Sequence, residues 1–597
     1  MTEFRNPQDD PGSQKRLMLA FFLVFVMIAV MQFFIKPPAP KPGEQQQNAK
    51  QQQAQSTPAA TAEPTVSPAR PTARAAAAKG AAASAFPKAQ VKQASAEKQT
   101  VLENDLYKIT FTNHGGMVKS WILKKYKNDK GQPLDLVNET TAPTLGFPLS
   151  LFAYDKDLEK KLNDALYQTS EGPQKDTVTF EYSDGDLLAR KVFHAEGNSY
   201  LISMETEVTR DGQPVTAYPQ WPGGVGDQAN LGAYASTTID WNQNGSVERK
   251  AATSGNFITG HKWVANGQTL NESFHWVGLV DKYFAVVFMP PSPEAHALVT
   301  LNNQLEVPKN PGNPSDTSKE KVSVLGAAFG STTGLTRSRI FAGPKAVDLL
   351  EATQAQPGGP DLRGVVDFGT FGFIAKPLFL WLKWTYEHWI PNWGWAIAFL
   401  TVVITMALLP LRMSSQKSAL KMQKIQPQVK AITEKYKRYS ITDPRRQEMQ
   451  KEMSELYKKE GVNPVGGCFP MLLQMPFLFA FYSMLGNAIE LRLAPWLWIK
   501  DLSAPDPTHI LPIAIVISMF IMQKSTPQAG MDPAQQKMLN FMGPLMIGGI
   551  SWGVASGLCV YWAISNVLGY VQQVFLNRSE LAQQVRKSQE RRATRKR

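Results

Sequence analysis

Residues 17–35 are nineteen consecutive positions with a single strongly polar side chain, Gln32, between Lys15-Arg16 and Lys36-Pro37-Pro38. At ~1.5 Å per residue a helix of this length spans roughly 28 Å, the hydrocarbon thickness of a bilayer. A chain carrying such a run must bury it in lipid or lose it to cleavage. The run exceeds a typical signal-peptide core, and no clear small-x-small site follows it, so an uncleaved anchor is expected. Five further apolar runs lie at 393–411, 468–485, 510–522, 538–556 and 558–576, giving six candidate spans.

Charge orients them. The chain carries 63 Lys+Arg against 50 Asp+Glu, a net +13. Twelve basic and six acidic residues fall in 413–460, and eight and two in 577–597, so these two segments hold almost all the excess. Short basic segments stay in the cytoplasm because translocating them is disfavoured. With Arg5, Lys15 and Arg16 before the first run, all three basic segments share one side only if both termini are cytoplasmic. The polar stretch from Lys36 to about Gly369 then lies outside. Charge confined in this way does not suit a nucleic-acid coat, and no DNA partner is expected. Cys468 and Cys559 are the only cysteines, so that outer stretch has no disulfide framework.

After a cytoplasmic N-terminus (1–16) and the first anchor (17–35), residues 36–99 are rich in Ala, Gln and Pro with little to bury, and read as a flexible linker. From 100 to 345 the pattern turns to strand-like alternation. Thr177-Val178-Thr179-Phe180-Glu181-Tyr182 leads into Asp184-Gly185, a hairpin signal, and an antiparallel β-sandwich domain is expected. Residues 346–391 hold a linker and an amphipathic helix, with Lys376 and Lys383 on one face and aromatics at headgroup level; a seventh span is the alternative. The second span (392–412) precedes a basic helical hairpin (413–462) that breaks near Asp443-Pro444. Spans three to six (463–576) and a basic cytoplasmic tail (577–597) complete the chain. The hairpin's Lys417, Lys421, Lys424, Lys430, Arg445 and Arg446 suit contact with ribosomal RNA or anionic lipid, or else simply fix topology.

Catalytic chemistry is not in evidence. Seven scattered histidines form no zinc-binding helical pair, and no GxxxxGK[ST] loop occurs. Gly549-Ile550-Ser551-Trp552-Gly553 matches a nucleophile-elbow pattern but lies within a span, without a histidine partner. Gly549, Gly553 and Gly557 read instead as a row of small residues for close helix packing. The spans contain no acidic residue, so a proton relay has little to work with. They do contain uncharged polarity at Thr401, Thr405, Gln474, Ser483, Ser551, Ser565 and Asn566, with Tyr561 and Trp562 one turn before the last pair. Such groups either satisfy one another across helices or line a wet cavity that lowers the cost of bringing polar backbone into lipid.

Asn463-Pro464-Val465-Gly466-Gly467-Cys468-Phe469-Pro470, continuing to Gln474-Met475-Pro476, resembles the hallmark of the YidC membrane protein insertases. Asn392-Trp393-Gly394, Glu490-Leu491-Arg492, Asp501-Leu502-Ser503, Asp532-Pro533 and Ser556-Gly557-Leu558 follow the family's order. The resemblance covers essentially the whole chain, in the Gram-negative form with a large periplasmic domain. It implies a bacterial inner-membrane protein, polytopic and α-helical, with six spans, a five-helix insertase core and a periplasmic β-sandwich. It further implies a hydrophilic groove open to cytoplasm and lipid, into which nascent membrane proteins pass, alone or with the Sec translocon. No cofactor, nucleotide or metal is expected, the ribosome and membrane lipid are expected partners, and a monomer suffices. The positions resembling the family's groove residues are Thr401, Gln474, Tyr561 and Trp562, with Thr405 and Asn566 beside them. The family's second span typically carries a groove arginine, and an ungapped count puts Thr405 there. Polarity and hydration are therefore expected to outweigh charge pairing, with Arg412, about two turns further on, at the groove mouth. A small-solute transporter and a membrane-anchored scaffold remain the alternatives from other classes.

Overall fold

The computed structural model describes residues 90–128, 130–226, 231–252, 262–293, 295–309, 317–354, 359–436, 439, 443–462, 469–525, 533–579 and 583–584. The expected first anchor, most of the linker and tail, and the 463–468 part of the hallmark lie outside them.

Strands from Gln99–Glu103 to Leu335–Pro344 build three sheets of four, eleven and five strands. Pairing is antiparallel except between Ser246–Ala251 and Lys262–Trp263. Alternation does what the pleat requires: Thr177–Ser183 and Leu187–Ala195 pair antiparallel and each turns every second residue inward. Their turn is fixed by Gly185 at φ 103° and by the Asp184 carboxylate, which accepts from the amides of Asp186 and Leu187. Inward residues of the three sheets, among them Phe111, Trp121, Phe193, Trp221, Phe288 and Phe329, share one core. The inward register of Leu187–Ala195 also contains Lys191, 1% exposed, whose ammonium donates to the carbonyls of Gly115 (2.7 Å), Gly116 (3.2 Å) and Leu149 (2.8 Å).

Beyond the sheets come α1 (Val347–Gln354), α2 (Gly372–His388), α3 (Trp393–Ala407), α4 (Leu409–Lys435), α5 (Arg445–Lys459), α6 (Phe469–Asn487), α7 (Ile510–Ser525), α8 (Pro533–Ser551) and α9 (Ser556–Asn577). The β core continues without interruption into these helices through Leu350, Phe379, Leu400, Phe481, Leu491 and Val560. Asn392 starts α3, its side-chain oxygen accepting from the Trp395 amide, while its amide nitrogen donates to the Pro495 carbonyl at 3.2 Å. Instead of stopping before the basic hairpin, α3 runs into α4 through a 55° bend at Leu408, where Pro410 opens the new helix. Among the described residues no single helix is long and apolar enough to cross a membrane; the bent α3–α4 pair meets that measure together. Polar residues thread these helices, such as Asn540 in α8 and Gln572, Gln573 and Asn577 in α9.

Two further expectations change. In α2 the lysines do not mark the exposed face: Lys383 is 13% exposed and ion-paired to Asp348 of α1 and Glu387, and Lys376 is half-buried. The exposed face is Phe373, Leu380, Trp381 and Trp384, because Ala375, Leu378, Phe379 and Leu382 pack inward. Nor do Gly549 and Gly553 pack helices closely, since nothing lies within 4 Å of where their Cβ would be. The close crossing occurs at Gly548, against Val516 of α7; Gly557 meets the Leu502 carbonyl first, with Ile397 of α3 at ordinary contact distance.

Candidate functional site

Gly557 against Ile397 sets the register of α9 on α3. One turn beyond Ile397 stands Thr401, and one turn beyond Gly557 stands Tyr561. Thr401 is fully buried and its hydroxyl donates to the Ile397 carbonyl of its own helix at 2.7 Å. Thr405, a turn further, is 3% exposed. The Tyr561 ring stacks on Phe481 of α6 with centroids 4.2 Å apart and planes 13° apart, joining a third helix to the site. Ser565, on the same face of α9 as Tyr561, is also buried.

Arg412 is half-buried just past the bend, and its guanidinium and the Tyr561 phenol lie close enough to act on one another electrostatically. Arg412, expected at the groove mouth, is carried toward Tyr561 by a long side chain from a helix turned 55° at its base. Polarity in this site is not wholly uncharged. Gln474 lies in α6. Trp562 is half-buried against the core, and Asn566, one turn on, donates to the Ser518 hydroxyl of α7 at 3.1 Å. These two therefore occupy a different face of α9 from Tyr561 and Ser565, so the structure divides the sequence-derived set. Thr401 and Thr405 are buried on α3, which packs against α9, and Arg412 lies toward Tyr561, whereas Asn566 ties α9 to α7. Ser551 donates to the Gly548 carbonyl at 2.6 Å, a bond within its own helix.

In the hairpin, Lys417, Lys421 and Lys424 share an exposed face of α4, and Lys430 is exposed on the other side. Arg445 and Arg446 are engaged within the hairpin itself. Arg445 grips Asp443 through two bonds and lies 4.0 Å over the Tyr439 ring, and Arg446 donates to the Tyr439 carbonyl. Lys435 of α4 and Glu452 of α5, 2.6 Å apart, close the hairpin. Sequence reasoning missed Arg492, which donates to the Lys127 carbonyl of a β strand at 2.6 Å across 365 residues. Its only sequence signal is its place in the Glu490-Leu491-Arg492 motif.

A large β-domain shares one core with a bundle of mostly apolar helices that bury polar side chains, the make-up of a membrane-associated protein. The description "YidC periplasmic domain" matches residues 99–381, and "60Kd inner membrane protein" matches residues 384–584. The membrane protein insertase YidC of Geobacter metallireducens is 32% identical over 83% of this chain and 88% of its own length. That of Haemophilus influenzae is 31% identical over 81% and 88%. A solved structure of an active YidC insertase with its first transmembrane domain resolved is 18% identical, covers 83% of this chain and 96% of its own, and superposes with a TM-score of 0.32. The chain belongs to the YidC family of membrane protein insertases. Membership places it in the inner membrane with its β-domain in the periplasm, and decides for an insertase over the transporter, scaffold and enzyme readings.

Proposed function

We propose that the cluster between α3, α4, α6 and α9 is the groove in which the hydrophilic part of a nascent membrane protein is sheltered while its apolar segment moves into lipid. Six spans with both termini cytoplasmic complete the arrangement, and the α4–α5 hairpin faces the ribosome or the anionic lipid surface. Burying an unpaired backbone polar group in hydrocarbon costs on the order of several kcal/mol, and hydroxyls within the bundle lower that cost.

The observation that supports the reading is the burial of Thr401 and Thr405 on α3 and of Tyr561 on the adjoining α9 among otherwise apolar helices, with Arg412 on the side of Tyr561. With Thr405 where relatives typically have arginine, Arg412 supplies the positive charge from the cytoplasmic end, and acidic substrate segments are drawn to the mouth rather than the middle. The exposed aromatic face of α2 lies in the outer headgroup region, where such rings favour the interface. The chain works as a monomer and hands substrates on with or without the Sec translocon.

Photocrosslinking from probes at Thr405, Gln474, Tyr561 and Asn566 to a stalled, ribosome-bound single-span nascent chain tests this. Crosslinks from Thr405, Gln474 and Tyr561 are expected as the apolar segment emerges, with fewer from Asn566, which is turned to α7. Silence at all four while the nascent chain still inserts refutes the groove. Arg412→Ala is expected to slow insertion of acidic substrates more than neutral ones, and equal rates refute its role.

A further inference from the structure

The connection that leaves α6 is held from several sides. Asn487, the last residue of α6, donates to the Asp367 carbonyl at 3.1 Å. Ala488, Ile489 and Leu491 are 5%, 5% and 0% exposed within the common core. Glu490 accepts from the Val347 amide at the start of α1 and faces the Lys383–Asp348 pair that joins α2 to α1. Burial pushes its carboxyl up to about 7, against the pull of Lys383. On the other flank Arg492 donates to the Lys127 carbonyl and its guanidinium lies 5.8 Å over Tyr283 and 5.6 Å over Phe284, both β-domain residues.

These contacts reach three parts of the periplasmic side at once: the sheets, the helices α1 and α2, and the linker at Asp367. The same short connection continues upstream into α6, whose Phe481 stacks on Tyr561 in the site. A rigid helix transmits the position of its fixed parts to the rest, and among the described residues α6 packs chiefly on α2 and less on α9 than α7 does. Its place beside α9 is therefore set from the α2 and β-domain side.

We propose that residues 487–492 are a positioning joint through which the β-domain holds α6 in register with α9, with Arg492 as the principal fastening. Arg492 is a positioning residue; it acts on substrate only through α6. The functional consequence rests on the groove reading, while the joint itself does not.

The test uses the full-length chain in phosphatidylethanolamine/phosphatidylglycerol liposomes, with Cys468 and Cys559 replaced by alanine. Spin labels are placed at the exposed Tyr482→Cys of α6 and Val567→Cys of α9. Arg492→Ala is expected to broaden the label-to-label distance distribution and to lower insertion of a single-span substrate at least threefold, with β-domain melting unchanged. Arg492→Lys, which keeps a donor for the Lys127 carbonyl, is expected to recover much of both. Should Arg492→Ala fail to fold, Asn487→Ala, which removes only the bond to Asp367, is expected to broaden the distribution more mildly. An unchanged distribution in a folded Arg492→Ala chain, or in Asn487→Ala where that variant stands in, overturns the joint whatever insertion does. A broadened distribution with full insertion upholds the joint and counts against the groove reading.

Discussion

Replacing Lys191 with methionine removes one ammonium and leaves three buried carbonyls, those of Gly115, Gly116 and Leu149, without their donor. A hydrogen bond to a charged group contributes about 1.5–3 kcal/mol net, and an orphaned buried acceptor costs about 1–3 kcal/mol. Methionine also relieves the desolvation of the charge, which offsets part of this, so at pH 7 a net loss of about 1–3 kcal/mol is expected. The loss grows with pH. Burial holds the Lys191 ammonium down to about 7, below its ordinary 10.5. Between these values the unfolded chain binds a proton that the folded one does not, so stability rises with pH by up to about 1.4 kcal/mol per unit. The Lys191 contribution is complete above 10.5 and lost as pH falls through about 7. From pH 7 to 9.5 the gap between parent and Lys191→Met therefore widens by about 3 kcal/mol. Urea unfolding of the full chain, read by pulse proteolysis of the β-domain, measures both effects. A variant as stable as the parent at pH 7, with a gap that stays constant to pH 9.5, refutes the reasoning.

Three further outcomes follow from close contacts and buried charge. Gly394→Ala drives a methyl into the Trp496 indole at the base of α3 and is expected to destabilise by about 1–3 kcal/mol, read as a lower Tm in detergent. Asn566→Leu removes the bond to the Ser518 hydroxyl, which keeps its own bond to the Ile515 carbonyl, costing about 1 kcal/mol in the same assay, with Tyr561 crosslinks preserved. Glu490, with its pKa raised to about 7, contributes fully below its unfolded value and loses that contribution as pH rises through 7. Glu490→Gln is accordingly expected to raise Tm at pH 8 and leave it unchanged at pH 5; a lower Tm at pH 8 would contradict this.

Local order was legible in the residues wherever local chemistry decides it. The Asp184-Gly185 turn and its flanking strands, and the proline near 444 that opens α5, can be read within a window of ten residues. Lys191 also announces itself, since it occupies the inward register between Ala189 and Phe193, but alternation alone does not say which carbonyls receive it. The α2 pattern puts its lysines on one face without saying what lies against them; Asp348, from α1, settles that for Lys383. The glycine row failed for a related reason: small residues permit close approach without requiring it, and of Gly549, Gly553 and Gly557 the last alone has a neighbour within 4 Å. At the candidate site, composition supplied the polar residues, but the division between the Tyr561 and Asn566 faces depends on which helix stands beside each. Arg412 entered the cluster through a bend that no short window encodes.

Glycines line one flank of the bundle. Gly548 leaves room for Val516, Gly543 for Gln523 and Gly569 for Met522, so side chains of α7 seat into hollows on both α8 and α9. Helices fitted this closely resist shear, because sliding either past the other drives methyls and sulfur into backbone. The α6 flank packs less extensively on α9, and its Phe481–Tyr561 stack is a contact that slides in its own plane at little cost. Stiffness is thus unevenly distributed around α9, and the bundle yields first along the seam between Phe481 and Tyr561.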